Sequence, residues 1–160
     1  MLSRRWKKLC RRRRKKKDKS VTVTKTTATV KSLKSGTAYS FKVKACAGKS
    51  YGEISSAVKT ATKVKKVTLS LVESAKKGQA TVNWKTVTGA NGYALEYSTS
   101  KKFTDGTTKT VKLKKSKTKK YTLKKLESGK TYYVRVKAYK TVNGKTVYGA
   151  KSSVKSVKIK

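Results

Sequence analysis

Side chains that could perform acid–base or nucleophilic chemistry are few in this chain and lie far apart along it. The sequence contains no histidine, six acidic residues and two cysteines. General acid–base catalysis usually relies on histidine or on closely placed carboxylates, and a closed zinc site needs about four ligands. The sequence therefore predicts no enzyme activity, no metal site and no cofactor. The acids beyond the basic start of the chain are all isolated: Glu53, Glu73, Glu96, Asp105 and Glu127.

Positive charge dominates the composition. Lys and Arg number 45 against the six acids, which gives a formal net charge of +39. Such a charge favours contact with polyanions, but Lys also blocks exposed strand edges in β proteins. Polyanion binding and a purely solvated surface are therefore both open. The candidate polyanion contacts lie in a basic tail and in a second Lys-rich stretch: Arg11, Arg12, Arg13, Arg14, Lys114, Lys115, Lys119 and Lys120.

The remainder of the sequence is patterned for β-strands. Tyr132, Val134 and Val136 alternate with Tyr133 and Arg135, so one set faces a core and the other faces solvent. Turn signals such as Asn-Gly separate these runs. Short strands divided by turns predict an all-β fold, a seven-stranded antiparallel β-sandwich. The predicted strands are about 67–73, 79–87, 92–99, 108–113, 120–124, 131–140 and 147–158.

An internal repeat divides the chain. Residues 33–45 (LKSGTAYSFKVKA) match residues 126–138 (LESGKTYYVRVKA) at an offset of 93. The pair Tyr51-Gly52 then matches Tyr148-Gly149 at an offset of 97. A period of about 95 residues is the length of a whole domain and is too long for a solenoid repeat.

The repeated run, Leu-x-x-Gly-x-x-Tyr-x-Val-x-Val-x-Ala, resembles part of the fibronectin type III domain. The resemblance implies a Trp on the second strand, a Tyr on the third, and a tyrosine corner whose hydroxyl group bonds to nearby backbone. In style the sequence is similar to the Lys-rich copies found in tandem in bacterial surface and secreted proteins. The predicted core residues are Trp84, Tyr93, Leu95, Leu126, Tyr132, Val134 and Val136.

The resemblance also predicts the domain organisation. It covers residues 64–160 completely, but over residues 20–63 it covers only the last three strands of an incomplete copy. Residues 1–19 are expected to be a disordered basic tail. Three strands bury too little surface to offset the entropy of the chain. Either the chain begins inside a longer gene product, or the half-domain pairs with something else.

The resemblance implies a non-catalytic extracellular structural, spacer or adhesion module, although residues 1–19 contain no signal peptide. Its partners would be neighbouring domains and anionic cell-wall polymers. The alternative is an intracellular protein that binds nucleic acid or other polyanions. Tyr133 and Tyr139 flank Arg135 and Lys137 on the predicted outer face. This interleaving suits stacking on a sugar or a base, and it equally suits cross-strand packing.

Overall fold

The structure, a computed structural model, describes residues 19–160, so the predicted contacts Arg11 to Arg14 lie outside the described residues. Within 19–160 every regular element is a strand. Residues 33–160 form one compact unit, and residues 19–32 contain no strand. The strands are β1 (Ala38–Phe41), β2 (Cys46–Ala47), β3 (Ser50–Tyr51), β4 (Val58–Ala61), β5 (Leu69–Glu73), β6 (Ala80–Trp84), β7 (Gly92–Ser98), β8 (Lys109–Leu113), β9 (Lys120–Leu123), β10 (Thr131–Val142), β11 (Lys145–Tyr148) and β12 (Lys155–Lys158).

Residues 64–160, here called the second copy, build two antiparallel sheets around one core. One sheet has the order β5-β6-β9, and the other has the order β11-β10-β7-β8 with β12 also paired to β10. The period-two pattern explains the packing, because Ala80, Val82 and Trp84 are buried while Thr81 and Asn83 between them are half-exposed. The prediction of an all-β antiparallel sandwich is confirmed.

The core is centred on an aromatic pair that joins the two sheets. The rings of Trp84 on β6 and Tyr93 on β7 lie 5.5 Å apart between centroids. Leu95, Val134 and Val136 are completely buried beside them. The other two predicted core residues, Leu126 and Tyr132, are 7% and 8% exposed.

The last strand differs from the prediction of one continuous strand over 147–158. The chain turns at Asn143 and Gly144, both with positive φ, and pairs with β10 first as β11 and later as β12. Between these strands the hydroxyl oxygen of Ser152 accepts a hydrogen bond from Val136 N at 2.9 Å. A side chain thus replaces a backbone partner, so the ladder between β10 and the last strand is interrupted.

Tyr139 lies on the predicted outer face, but its side chain is only 4% exposed, whereas the sequence pattern predicted that it would face solvent. Its cross-strand neighbour is Gly92. A Cβ atom on Gly92 would lie 2.8 Å from the Tyr139 ring, so the missing side chain makes room for the ring. The Tyr139 hydroxyl donates to Leu113 O at 3.3 Å. Tyr139 therefore packs across the sheet.

The first copy, residues 20–63, repeats local details of the second. In its tyrosine corner the Tyr39 hydroxyl accepts a hydrogen bond from Lys34 N at 2.8 Å. The equivalent bond in the second copy joins Tyr132 and Glu127 N at 3.4 Å. Val43 N donates to Ser55 Oγ at 3.0 Å, as Val136 N donates to Ser152. The repeat therefore extends from sequence to hydrogen bonding.

The two copies differ, by contrast, in how deeply their apolar side chains are buried. Val43 is 73% exposed, whereas its counterpart Val136 is fully buried. Strand β1 pairs with β4 in a two-stranded sheet. Residues 33–63 contain no counterpart of Trp84 or Leu95. Within residues 19–63, the first copy therefore has strands and a turn of the fold but no facing sheet.

Candidate functional site

The outer face of the five-stranded sheet, for which the sequence left both ligand stacking and cross-strand packing open, is organised around a buried acid. Glu96 on β7 is 6% exposed and lies directly across from Arg135 on β10. Arg135 Nε donates to one carboxylate oxygen at 2.6 Å, and Lys137 Nζ donates to the other at 2.5 Å. Burial opposes ionisation of Glu96, but hydrogen bonds from Lys137 and Arg135 outweigh it and lower its pKa. Glu96 is therefore ionised at neutral pH, and its single negative charge is shared by two strand cations.

Aromatic rings on this face are already covered by cations of the same chain. The Arg135 guanidinium lies 3.8 Å from the Phe103 ring centroid, and Lys137 Nζ lies 4.7 Å from that of Tyr148. Lys112 Nζ lies 5.1 Å from the ring of Tyr139. Tyr133 is half-buried. Such cation–π pairs stabilise the sheet, so this face offers cross-strand packing more readily than an open platform.

Two residues of this face were missed by sequence reasoning. The sequence could have indicated a role for Glu96, because an acid directly across the sheet from Arg135 can form an ion pair. This inference requires the strand register, which the sequence alone does not give. No sequence pattern indicated a role for Phe103. It sits in the loop between β7 and β8 with φ of 55°, a conformation that bulky side chains rarely adopt.

The Lys-rich stretch forms a loop held against the core, here called the Lys loop (residues 114–119, together with Lys120 at the start of β9). The Tyr93 hydroxyl donates to Ser116 O at 3.1 Å, and Trp84 N donates to Lys119 O at 2.9 Å. The three ion pairs found within 19–160 all lie elsewhere. A fixed loop therefore displays unneutralised charge on exposed side chains, which include Lys114, Lys115, Lys119 and Lys120.

A second group of lysines comes together where the two copies meet. An open depression there is lined by Lys34 from the first copy and by Lys65, Lys66 and Lys85 from the second. These residues come from three separate stretches of sequence. Their proximity depends on tertiary structure, so local patterns could not reveal it.

Three further properties of the part of the chain that the structure describes concern metal binding, free thiols and membrane-spanning helices. No three metal-ligating side chains meet anywhere in residues 19–160. Cys46 is an exposed free thiol. No described helix is long and apolar enough to cross a membrane.

Two antiparallel sheets around a Trp–Tyr core, with a tyrosine corner and an interrupted last strand, define an immunoglobulin-like sandwich. The family profile for the Fibronectin type III domain matches residues 6–61 and 65–155. The chain belongs to the fibronectin type III family.

Solved structures share this fold. The FN1–FN3 domains of chicken CNTN1 are 22% identical and superpose with a TM-score of 0.53, covering 80% of this chain. This chain spans only 44% of that FN1–FN3 segment. A two-domain fibronectin type III segment of chicken tenascin is 21% identical, with a TM-score of 0.52, and the match covers 79% of this chain and 67% of the segment. No curated protein matches the sequence.

Proposed function

We propose that the chain is a non-catalytic structural module, a spacer or adhesion segment of a longer tandem-domain protein at a cell surface. Fibronectin type III domains commonly serve as structural or adhesion modules, and the outer face of this one is internally paired. The Lys-rich composition suits the proposed bacterial surface setting, in which weak contacts with anionic wall polymers assist attachment.

The observation that carries this proposal is the direct contact between the two copies. The two family-profile matches end at residue 61 and resume at residue 65, so only residues 62–64 separate them. Gly89 has φ of 82°, and a Cβ atom added to it would lie 2.6 Å from Gly36 O. The turns of the two copies thus touch backbone to backbone, which only residues without a side chain permit.

The ends of the second copy favour a linear arrangement. Val64 precedes β5 and packs against Gly149. Lys160 lies at the other end of β5, where its backbone N–H donates to Ser74 Oγ at 3.1 Å. Copies joined end to end in this way extend in one direction, which is what a spacer requires.

Replacing Gly89 with Ala is expected to loosen the contact between copies. The added Cβ atom collides with Gly36 O and the positive φ is unfavourable for Ala, so the turns separate. The measurement is the distance distribution between spin labels on Cys46 and on Cys introduced at Lys151, with Cys10 replaced by Ser. We expect a narrow distribution in the parent chain and a broad one in the Gly89→Ala variant.

Gly106→Ala is the matched control. Its φ of 83° imposes the same backbone strain, yet nothing lies within 4 Å of its added Cβ atom. This variant should keep the narrow distribution. A broad distribution in the parent chain, or an unchanged one in Gly89→Ala, would contradict a stiff joint.

Polyanion binding is the second candidate function, because the Lys loop is fixed to the core and its charges are unneutralised. Lys presents a point charge without the planar fork of Arg, so this binding should follow charge density and not sequence. It would operate with the basic tail, which carries Arg11 to Arg14. An intracellular nucleic-acid-binding role would use the same surfaces.

Affinity for DNA and for heparin-like chains of matched charge should fall linearly with salt on a logarithmic plot. Deleting residues 1–19 should make the slope shallower, since cationic contacts are lost. Replacing Lys114, Lys115, Lys119 and Lys120 with Gln should do the same, whereas Tyr133→Ser should change little. A preference for one base sequence that persists at high salt and disappears in Tyr133→Ser would contradict this account.

A further inference from the structure

The first copy contains a strand edge that the second copy keeps covered. In the second copy β10 is paired on both sides, with β7 along one edge and with β11 and β12 along the other. Its counterpart β1 pairs with β4 and with no other strand of residues 19–160. The edge of Ser40–Lys44 opposite β4, here called the open edge, corresponds to the edge of β10 that β7 occupies.

Hydrogen bonds show which backbone groups point to this edge. Val43 N and O bond to Ser55, and Ala45 O accepts from Gly52 N, so these residues face the β4 side. Residues 42–45 lie between β1 and β2, outside the assigned strands, but the bonds of Val43 and Ala45 to the same side show the alternation of an extended segment. The N–H and C=O groups of Lys42 and Lys44 therefore point to the open edge, as those of Arg135 and Lys137 point to β7.

The repeat also preserves the charges that hold β7. Lys42 and Lys44 are the counterparts of Arg135 and Lys137, which share the Glu96 carboxylate. Lys44 even keeps the equivalent cation–π contact, because its Nζ lies 3.7 Å from the ring of Tyr51. What the first copy lacks is the acid between the two cations.

On the inner face of the same ribbon, apolar side chains are uncovered. Val43 and Val58 are 73% and 65% exposed, and Phe41 is half-buried. In the second copy the neighbours at the equivalent positions are Leu95, which lies across from Val136, and Tyr97, which lies across from Val134. A strand added at the open edge would place similar side chains beside Val43 and Phe41.

We propose that the open edge is an acceptor site for an extended segment of another polypeptide, in which apolar residues alternate and a central Glu or Asp pairs with Lys42 and Lys44. This is strand addition to an exposed sheet edge. A second copy of this chain is disfavoured as the occupant, because its own open edge would bring Lys42 and Lys44 against like charges. The existing β7 is also excluded, since β8 and β10 already pair with it.

A peptide with the sequence of residues 91–99, NGYALEYST, is the probe, because it carries the natural β7 pattern. Added to the full chain at up to millimolar concentration, it should slow amide hydrogen exchange at Lys42 and Lys44. A peptide with the Ala94→Pro change keeps the Glu but lacks an N–H that faces the edge, so it should not protect these amides. A scrambled peptide controls for charge attraction alone.

Charge reversal tests the pairing. The chain variant Lys42→Glu/Lys44→Glu should bind the parent peptide at least about tenfold more weakly. A peptide with Glu96→Lys should recover that affinity on the reversed chain and fail on the parent chain. Exchange in residues 64–160 should be the same in both chains, which shows that the second copy is intact.

Three outcomes would overturn the proposal. The first is protection that appears equally with the scrambled or Ala94→Pro peptide. The second is that the parent peptide protects amides of the Lys loop instead of Lys42 and Lys44, or protects no amides at all. The third is dimerisation of the chain through residues 38–45 in sedimentation experiments, which would make a second copy the occupant.

Discussion

Replacing Trp84 with Ala is expected to lower the free energy of unfolding of the second copy by about 3–5 kcal/mol, the usual cost of removing a large core aromatic. The ring is 2% exposed and packs on Tyr93, so its loss leaves a cavity between the sheets. Urea unfolding of the full chain, followed by circular dichroism, measures the change.

Leu71→Ala is a suitable control for Trp84→Ala. Leu71 lies on the neighbouring strand β5 and is 42% exposed, so its removal should cost less than about 1 kcal/mol. If Trp84→Ala cost as little as this control, the indole ring would not be part of the core.

Replacing Glu96 with Gln should cost about 2–4 kcal/mol at neutral pH, because two partly buried cations lose their shared counter-charge. Its pKa is lowered from the ordinary value of 4.5 by Lys137 and Arg135, despite the opposing effect of burial. The stability that ionised Glu96 contributes is therefore fully present above pH 4.5 and is lost as pH falls through the lower folded-state pKa. The difference in unfolding free energy between the parent chain and the Glu96→Gln variant should therefore become smaller as the pH is lowered below 4.5.

The control for this pair is Glu127→Gln. Glu127 pairs with Lys130 on the surface, with both side chains more than half exposed, so removing its charge should have no measurable effect. A parent–variant difference for Glu96→Gln that stayed constant from neutral pH to pH 3 would show that the ion pair does not stabilise the fold.

Local sequence pattern was sufficient for most strands of the second copy and for its core. Period-two alternation placed Val134 and Val136 inward because successive side chains of a strand point to opposite faces. The Leu-x-x-Gly-x-x-Tyr run pointed to the tyrosine corners through its resemblance to the fibronectin type III family, and the corner hydrogen bond of Tyr132 is a local contact. These features need only a few neighbouring residues.

Other features depend on what lies across the sheet or in another part of the chain. Tyr139 is buried because Gly92 faces it, which only the β7–β10 register reveals. The last strand breaks because the Ser152 side chain bonds to Val136 N across the ladder. The contact of Gly36 with Gly89 joins two copies, and neither glycine differs locally from an ordinary turn residue.

The central claim is that the chain holds one self-sufficient module and one incomplete copy that depends on other strands. Hydrogen exchange of two fragments, residues 64–160 and residues 1–63, tests it directly. We expect 64–160 to show strongly protected amides on β6, β7 and β10. We expect 1–63 to exchange as an unfolded chain, because the apolar face of β1 and β4 has no facing sheet among the described residues 19–63. Cooperative protection in 1–63, or its absence in 64–160, would contradict the claim.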